Sequence, residues 1–205
     1  MLTDLQRRCV DLSYRHKLTH ISSVLNTVNV IGEIYKSRHK DDPFILGNSH
    51  AFLALAVVLE KHGLCDAEEM IAKHGTHAAR DPENGIYVSG GSLGQAETIA
   101  VGMAMADRTR TVWLVTSDGA LAEGCIWESL RLAAELALTN LSVHVIANGL
   151  GGYGSIDLDS LKRRLDSLRL PDLTMHESAT QFPPWLQGLA GHYVAMGQEQ
   201  FEDFA

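Results

Sequence analysis

The chain has 205 residues, of which 45% are hydrophobic, and its 17 lysines and arginines against 25 aspartates and glutamates give a formal net charge of −8 at pH 7. This composition suits a packed core and excludes disordered and fibrous classes, and the negative charge disfavours a general nucleic-acid binder because phosphates would be repelled. The longest apolar run, residues 51–59, is about half of the ~20 residues that a membrane-spanning helix needs, so we expect a cytoplasmic protein with no membrane segment.

Apolar residues at helical spacing predict two helices in the first part of the chain, with a break near His20. A short buried strand is expected over residues 44–46, followed by a helix over residues 51–62 that Gly63 closes. Residues 75–85 combine glycine, asparagine, proline and charge, which is typical of a loop. This part of the chain is therefore expected to be mostly helical, with His20 at an elbow.

The central part of the chain alternates strand and helix patterns. A glycine turn over residues 90–94 precedes a predicted helix over residues 95–107, and strands are expected over residues 111–116 and 141–146 with a helix over 121–138 between them. A strand, helix and strand in this order imply parallel strands, whose binding loops lie at their carboxyl ends. We therefore predict an α/β fold with a parallel sheet flanked by helices.

The patterns weaken after Ser155. They indicate a helix over residues 158–168, an edge strand over residues 174–180 and a short terminal helix over residues 198–205. Since no repeat or low-complexity linker divides the chain, residues 1–205 are predicted to form a single domain.

Asp118 and Asn148, thirty residues apart, follow the two predicted parallel strands. Because the carboxyl ends of neighbouring parallel strands share one edge of the sheet, a carboxylate and an amide oxygen can meet on one hard cation there. Magnesium usually completes its oxygen ligands from water and phosphates, so a diphosphate is its natural companion. The alternative is that Asp118 is only a helix cap and Asn148 only a turn residue.

At these residues the chain resembles the transketolase family of thiamine diphosphate enzymes. Ser117-Asp118-Gly119, Glu123-Gly124 and Asn148-Gly149 are similar to the metal motif of that family. The resemblance spans residues 5–165 and, more loosely, the tail over residues 170–205. Four further segments match family motifs in order, namely Lys17-Leu18-Thr19-His20, Asn48-Ser49-His50-Ala51, His77, and Gly91-Ser92-Leu93-Gly94-Gln95.

The resemblance implies the thiamine-diphosphate-binding fold, with residues 1–205 as its diphosphate-binding domain. It implies that Asp118, Asn148 and the backbone carbonyl of Leu150 bind Mg²⁺ or Ca²⁺, which anchors the diphosphate. The remaining cofactor-binding residues that it implies are His50, Gly91, Leu93, Gly119 and Glu123. For Glu123 an exposed first-turn carboxylate favoured by the helix dipole stays an equal alternative.

The same resemblance implies catalytic roles for three histidines. His20 and His77 would contact the hydroxyls of a ketose donor and move protons, and His192 in the tail corresponds to a further substrate histidine. Imidazole suits such roles because its ordinary pKa lies near the working pH. For each histidine taken alone, a structural role is the alternative.

The function that the resemblance implies is the transfer of a two-carbon ketol unit from a ketose donor to an aldose acceptor, with phosphorylated or related sugars as substrates. The activating carboxylate of the family belongs to a second, pyrimidine-binding domain. We therefore expect a split transketolase, active only as an α2β2 heterotetramer with a separate chain that carries this domain.

Two other interpretations stay open. The chain could be the α subunit of a 2-oxo-acid dehydrogenase or decarboxylase of the same fold, although the Leu93-Gly94-Gln95 and Glu123-Gly124 motifs favour a transketolase. It could also be a non-catalytic scaffolding subunit, because Ser117 and Ala147 depart from the family pattern beside the predicted metal site.

Overall fold

The computed structural model describes residues 2–178 and 182–204. The chain divides into two compact units. We call them the helical unit (Met1–Arg38, Ser49–Ala78 and Ala179–Ala205) and the sheet unit (His39–Asn48 and Ala79–Ser178). No helix within the described ranges has both the length and the apolar character needed to cross a membrane.

The helices are α1 (Asp4–His16), α2 (Ile21–Ser37), α3 (Phe52–Lys61), α4 (Ala67–His74), α5 (Gln95–Ala106), α6 (Gly124–Glu135), α7 (Leu158–Leu168), α8 (Gly188–His192) and α9 (Gln198–Glu202). The strands are β1 (Phe44–Leu46), β2 (Val112–Ser117), β3 (Leu141–Ala147), β4 (Leu150–Gly151), β5 (Gly154–Ser155) and β6 (Leu173–Glu177). Residues 179, 180 and 205, at the ends of two predicted elements, lie outside the described residues.

The helical unit is built from helices that each bury one apolar face. Thr3 and Gln6 form a capping box that satisfies the free N–H groups at the start of α1. The next helix, α2, begins after His20, whose φ of 66° is in the left-handed region. Non-glycine residues adopt this region rarely, and it turns the chain sharply between α1 and α2. The predicted elbow at His20 is therefore present.

The sheet unit is centred on four parallel strands in the order β1-β2-β3-β6. Ser117 pairs with Ile146, so β2 and β3 end at the same level. One face of the sheet packs in an apolar core that includes Leu114, Val143 and Ile126 of α6. The predicted α/β fold with a parallel sheet flanked by helices is confirmed.

The predicted helix over residues 121–138 is shorter than expected. The Ser117 hydroxyl accepts a hydrogen bond from Ala120 N–H at 3.2 Å, and a 3₁₀ turn over Ala120–Ala122 precedes α6. At the other end Ala137 has a φ of 47°, which stops the helix. The sequence patterns also missed α4, α8 and the β4–β5 hairpin, because short elements carry little periodicity. The single-domain assignment of residues 1–205 stays a prediction.

Candidate functional site

Asp118 joins the ends of β2 and β3. The residue is only 3% exposed, and its Oδ2 atom accepts hydrogen bonds from the N–H groups of Asn148 at 2.8 Å and Gly149 at 2.7 Å. The other oxygen, Oδ1, accepts from Gly119 N–H at 2.9 Å. Burial raises the pKa of Asp118, and these N–H donors oppose that shift. The carboxylate thus holds together the two turns that the sequence predicted as a metal site.

Asn148 and Leu150 place neutral oxygen atoms in the same turn region. Asn148 Oδ1 accepts a hydrogen bond from Leu150 N–H at 2.9 Å, and a Cβ atom added to Gly119 would lie 3.4 Å from the Leu150 carbonyl oxygen. A carboxylate, an amide and a carbonyl are hard oxygen donors, which Mg²⁺ and Ca²⁺ prefer. No three His, Cys, Asp or Glu side chains converge on a metal-sized site within residues 2–178 and 182–204. The donor set therefore fits a cation that also takes oxygens from a diphosphate and water.

Gly91 and Leu93 lie in the turn that leads into α5. Gly91 has a φ of 109° and Gly94 a φ of 89°, conformations that glycine adopts without strain. A Cβ atom at Gly94 would also lie 2.4 Å from the Cys125 sulfur, so this position has no room for a side chain. Leu93 is 40% exposed. The turn therefore leaves the Leu93 side chain accessible to a ligand.

Glu123 immediately precedes α6 and is partly exposed. The Tyr153 hydroxyl donates to Glu123 Oε1 at 3.5 Å, a long contact, and Tyr153 is 85% exposed. This position suits both sequence interpretations, a carboxylate near the cofactor and a carboxylate stabilised by the helix dipole.

Three predicted histidines of the helical unit form a cluster, which we call the histidine cluster: His20, His50 and His192. Their ring centroids are 4.3 Å apart for His20 and His192, 5.3 Å for His20 and His50, and 5.3 Å for His50 and His192. The backbone N–H of His20 donates to the His192 carbonyl at 2.8 Å, so the elbow before α2 is tied to α8. Positions far apart in the sequence therefore present imidazoles to one place.

Two hydroxyl groups orient histidine rings in this unit. Thr19 Oγ1 lies 2.6 Å from His20 Nδ1, and Ser49 Oγ lies 3.0 Å from His77 Nδ1. His77 is itself exposed, and it is near enough to the cluster to help lower the pKa of both His20 and His50. His77 thus lies at the edge of the cluster, and its predicted catalytic role stays a prediction.

The cluster favours neutral imidazoles. Burial, aided by the neighbouring histidines, lowers the pKa of His50 to about 3 and that of His20 to about 4. Burial also lowers the pKa of His192. At neutral pH each ring can therefore donate one hydrogen bond and accept another, as sugar hydroxyls require.

The sequence analysis did not select Tyr193. Its ring centroid lies 5.4 Å from that of His20 and 5.3 Å from that of His192, and it is 63% exposed. An exposed aromatic beside neutral histidines can pack against a ligand while its hydroxyl bonds to it. Its position next to His192 was the only sequence signal.

Comparisons with known proteins agree with this arrangement. A family model described as "Transketolase, thiamine diphosphate binding domain" matches residues 26–163. One of the two subunits named for an apulose-4-phosphate transketolase, from Phocaeicola vulgatus, is 28% identical over 182 residues, which are 78% of this chain and 65% of that protein. The transketolase of Buchnera aphidicola subsp. Baizongia pistaciae is 30% identical over 137 residues, 57% of this chain and 21% of that protein.

A solved structure shares the fold. The transketolase of Pichia stipitis in complex with sedoheptulose-7-phosphate superposes with a TM-score of 0.67 at 18% identity, over 97% of this chain and 40% of that chain. This chain spans less than two thirds of the length of each of these relatives. Because the family model covers most of its length, the chain belongs to the transketolase family through its thiamine diphosphate binding domain.

Proposed function

We propose that this chain is the diphosphate-binding subunit of a split transketolase. It would transfer a two-carbon ketol unit from a ketose donor to an aldose acceptor, with thiamine diphosphate as cofactor. The observation that carries this proposal is the position of the Asp118 carboxylate, buried between the ends of β2 and β3 with hydrogen bonds to Asn148 and Gly149. The family model and the relative named as one subunit of a transketolase support it.

In this proposal Mg²⁺ or Ca²⁺ is held by the Asp118 carboxylate, the Asn148 amide oxygen and the Leu150 carbonyl. A carboxylate or carbonyl oxygen has two lone pairs, so an oxygen that accepts one hydrogen bond can still bind a cation. Gly119 leaves room beside the Leu150 carbonyl, since even a single Cβ atom would approach that oxygen to 3.4 Å. The cation would neutralise the diphosphate beside the buried Asp118 carboxylate.

The remaining predicted residues bind and orient. Gly91 and Leu93 would offer backbone groups to the cofactor, His50 would donate a hydrogen bond to the diphosphate, and Glu123 would act at the edge of the site. When bound, thiamine diphosphate supplies the nucleophilic carbon for ketol transfer.

The three predicted catalytic histidines would act on the sugar. His20 and His192, kept neutral by burial, would exchange hydrogen bonds with the hydroxyls of the ketose. His77, oriented by the Ser49 hydroxyl, would hold or move a proton at the donor. The partial burial of His20 and His192 would exclude water and strengthen each hydrogen bond.

We also propose that the site is completed by a separate chain that carries the pyrimidine-binding domain, in an α2β2 assembly. Ile99 and Met105 on α5 are 43% and 42% exposed, and Gly102 has open space beside it. Exposed apolar residues on one helix are typical of a surface that a partner covers. We place the partner contact at α5, and residues 1–205 would then act as a single diphosphate-binding domain.

The experiment measures thiamine diphosphate and Mg²⁺ binding by calorimetry, then ketol transfer by the chain alone and with the product of the neighbouring gene. We expect cofactor binding with the partner, activity only with the partner, and preference for ketoses over pyruvate. Full activity of the isolated chain would contradict the split enzyme. Turnover of pyruvate would favour the 2-oxo-acid interpretation, and absence of cofactor binding would favour the scaffolding interpretation.

A further inference from the structure

A second acidic residue is buried near the carboxyl ends of the strands. Glu97, in the first turn of α5, is 0% exposed. Its Oε1 atom accepts a hydrogen bond from the Thr116 hydroxyl at 2.5 Å. Its other oxygen, Oε2, has no hydrogen-bond partner within the part of the chain that the structure describes. The function proposed above gives this side chain no task.

Gly47 closes over the same carboxyl group from the end of β1. The Gly47 N–H donates to the Val115 carbonyl at 2.7 Å, which fixes this backbone beside β2. A Cβ atom at position 47 would lie 2.2 Å from Glu97 Oε1 and 3.0 Å from Thr116 Oγ1. Only glycine allows so close an approach. We call Gly47, Glu97 and Thr116 the buried acid cluster, where β1, β2 and α5 meet.

An acid at this place is costly. Burial raises the pKa of Glu97, while the Thr116 hydroxyl and two backbone groups, of Glu97 itself and of Gly94, oppose the shift. Among the described residues no cation pairs with Glu97. An apolar side chain would fill the same space without the desolvation cost of a carboxyl group. The free energy lost by burying this group suggests that its hydrogen bond with Thr116 has a specific use.

Thr116 connects the cluster to the candidate metal site. It is 1% exposed in β2, two residues before Asp118. The Asp118 carboxylate ties this strand end to the turn at Asn148, and Glu97 ties it to α5. The end of β2 is therefore braced from two sides, by one acid facing the turn and by another facing the helix.

We propose that Glu97 is a positioning residue, which through its hydrogen bond to Thr116 holds the Asp118 turn in the conformation that binds a divalent cation with a diphosphate. The inference rests on the proposed function, in which Asp118 binds the cation. Glu97 touches neither the cation nor the cofactor. It sets the affinity of the site by restricting the strand end before binding, so that less order has to be gained on binding.

The test measures binding of Mn²⁺ with thiamine diphosphate to the full chain with its partner, by calorimetry and by the electron paramagnetic resonance signal of free Mn²⁺. Glu97→Ala and Thr116→Val should each weaken binding about tenfold, because each leaves one buried partner unsatisfied. Glu97→Gln keeps an oxygen for Thr116 and should bind as the wild type does. In Glu97→Ala/Thr116→Val the two losses should not add.

Exposed residues of the same types provide matched controls. Glu83→Ala and Thr174→Val change exposed side chains of the sheet unit and should not alter binding. Thermal unfolding of each variant shows whether it folds. If Glu97→Ala is unfolded, Glu97→Gln and Thr116→Val still decide the question, since each retains most of the packing.

The two proposals fail in different ways. If the wild type and Asp118→Ala bind Mn²⁺ and thiamine diphosphate equally, or neither binds, the proposed function is overturned and this inference with it. If Asp118→Ala loses binding while Glu97→Ala and Thr116→Val match the wild type, only the role of Glu97 is overturned. Equal losses for Glu97→Gln and Glu97→Ala would also overturn it, because the hydrogen bond would then not be the cause.

Discussion

The two candidate binding regions of this protein use opposite physical means. At the end of β2 the buried carboxylate of Asp118 is surrounded by backbone N–H groups and neutral oxygens, an arrangement that can accept a cation. The histidine cluster instead consists of imidazoles that burial keeps neutral. The first arrangement suits a cation and its anionic companion, whereas the second suits uncharged hydroxyls. Binding of a charged cofactor and recognition of a sugar are thus assigned to different chemistry.

The largest expected effect comes from removing the acid that joins the two strand ends. Asp118→Ala should abolish retention of Mg²⁺ with thiamine diphosphate, a loss of about 3–5 kcal/mol, because it removes the anionic ligand from a desolvated cation. Asn148→Ala removes a neutral ligand and should weaken binding less. Calorimetry measures both, and unfolding curves check that the turn still folds. Unchanged binding by Asp118→Ala would contradict the metal assignment.

The next effect should separate the two regions in the opposite direction. His77→Ala should slow turnover of ketose donors by roughly 10²–10⁴-fold while the cofactor stays bound, since His77 would act on the proton and not on the diphosphate. Steady-state rates and cofactor affinity are measured on the same preparation, with pyruvate as a second substrate. Joint loss of cofactor and activity would show that His77 does not have a sugar-specific role.

A smaller effect should appear in the pH dependence of stability. The pKa of His50 is lowered to about 3 from an ordinary value of 6.5, so the unfolded chain takes up a proton that the folded chain resists. The free energy of unfolding should therefore fall as the pH decreases from 6.5 towards about 3. His50→Gln should flatten this decline in melting curves.

Acidic groups provide an internal control for that measurement. Burial raises the pKa of Asp118 and of Glu97, so their contributions have the opposite sign and are lost as the pH rises. The difference between the wild type and His50→Gln cancels them. A difference that does not change with pH would show that His50 titrates normally in the folded protein.

The smallest effect is expected for Glu123. Its carboxylate is partly exposed and has a long contact with the Tyr153 hydroxyl, so Glu123→Gln should change metal and cofactor affinity by no more than about twofold. The same calorimetric titration used for Asp118→Ala measures this. A tenfold loss would place Glu123 with the residues that hold the cofactor and decide between its two interpretations.

The sequence predicted the strand-end region better than the helical one. Periodicity and turn residues indicated β2, α6 and β3, and the ends of parallel strands share one edge of a sheet. The meeting of Asp118 and Asn148 therefore followed from local patterns and a general rule. The start of α6 did not follow, because the Ser117 hydroxyl and a 3₁₀ turn delay it by three residues.

The sequence by itself determined the order of strands and helices, the turn at Asp118 and the family resemblance, since these depend on neighbouring residues and on spacing. Only the tertiary structure decided that His20, His50 and His192 share one cluster and that Glu97 lies buried against Thr116 and Gly47. Helical spacing indicates which residues share a face of α5, but not which group on another strand that face meets. Contacts between distant residues depend on how the elements pack, and packing is a property of the whole fold.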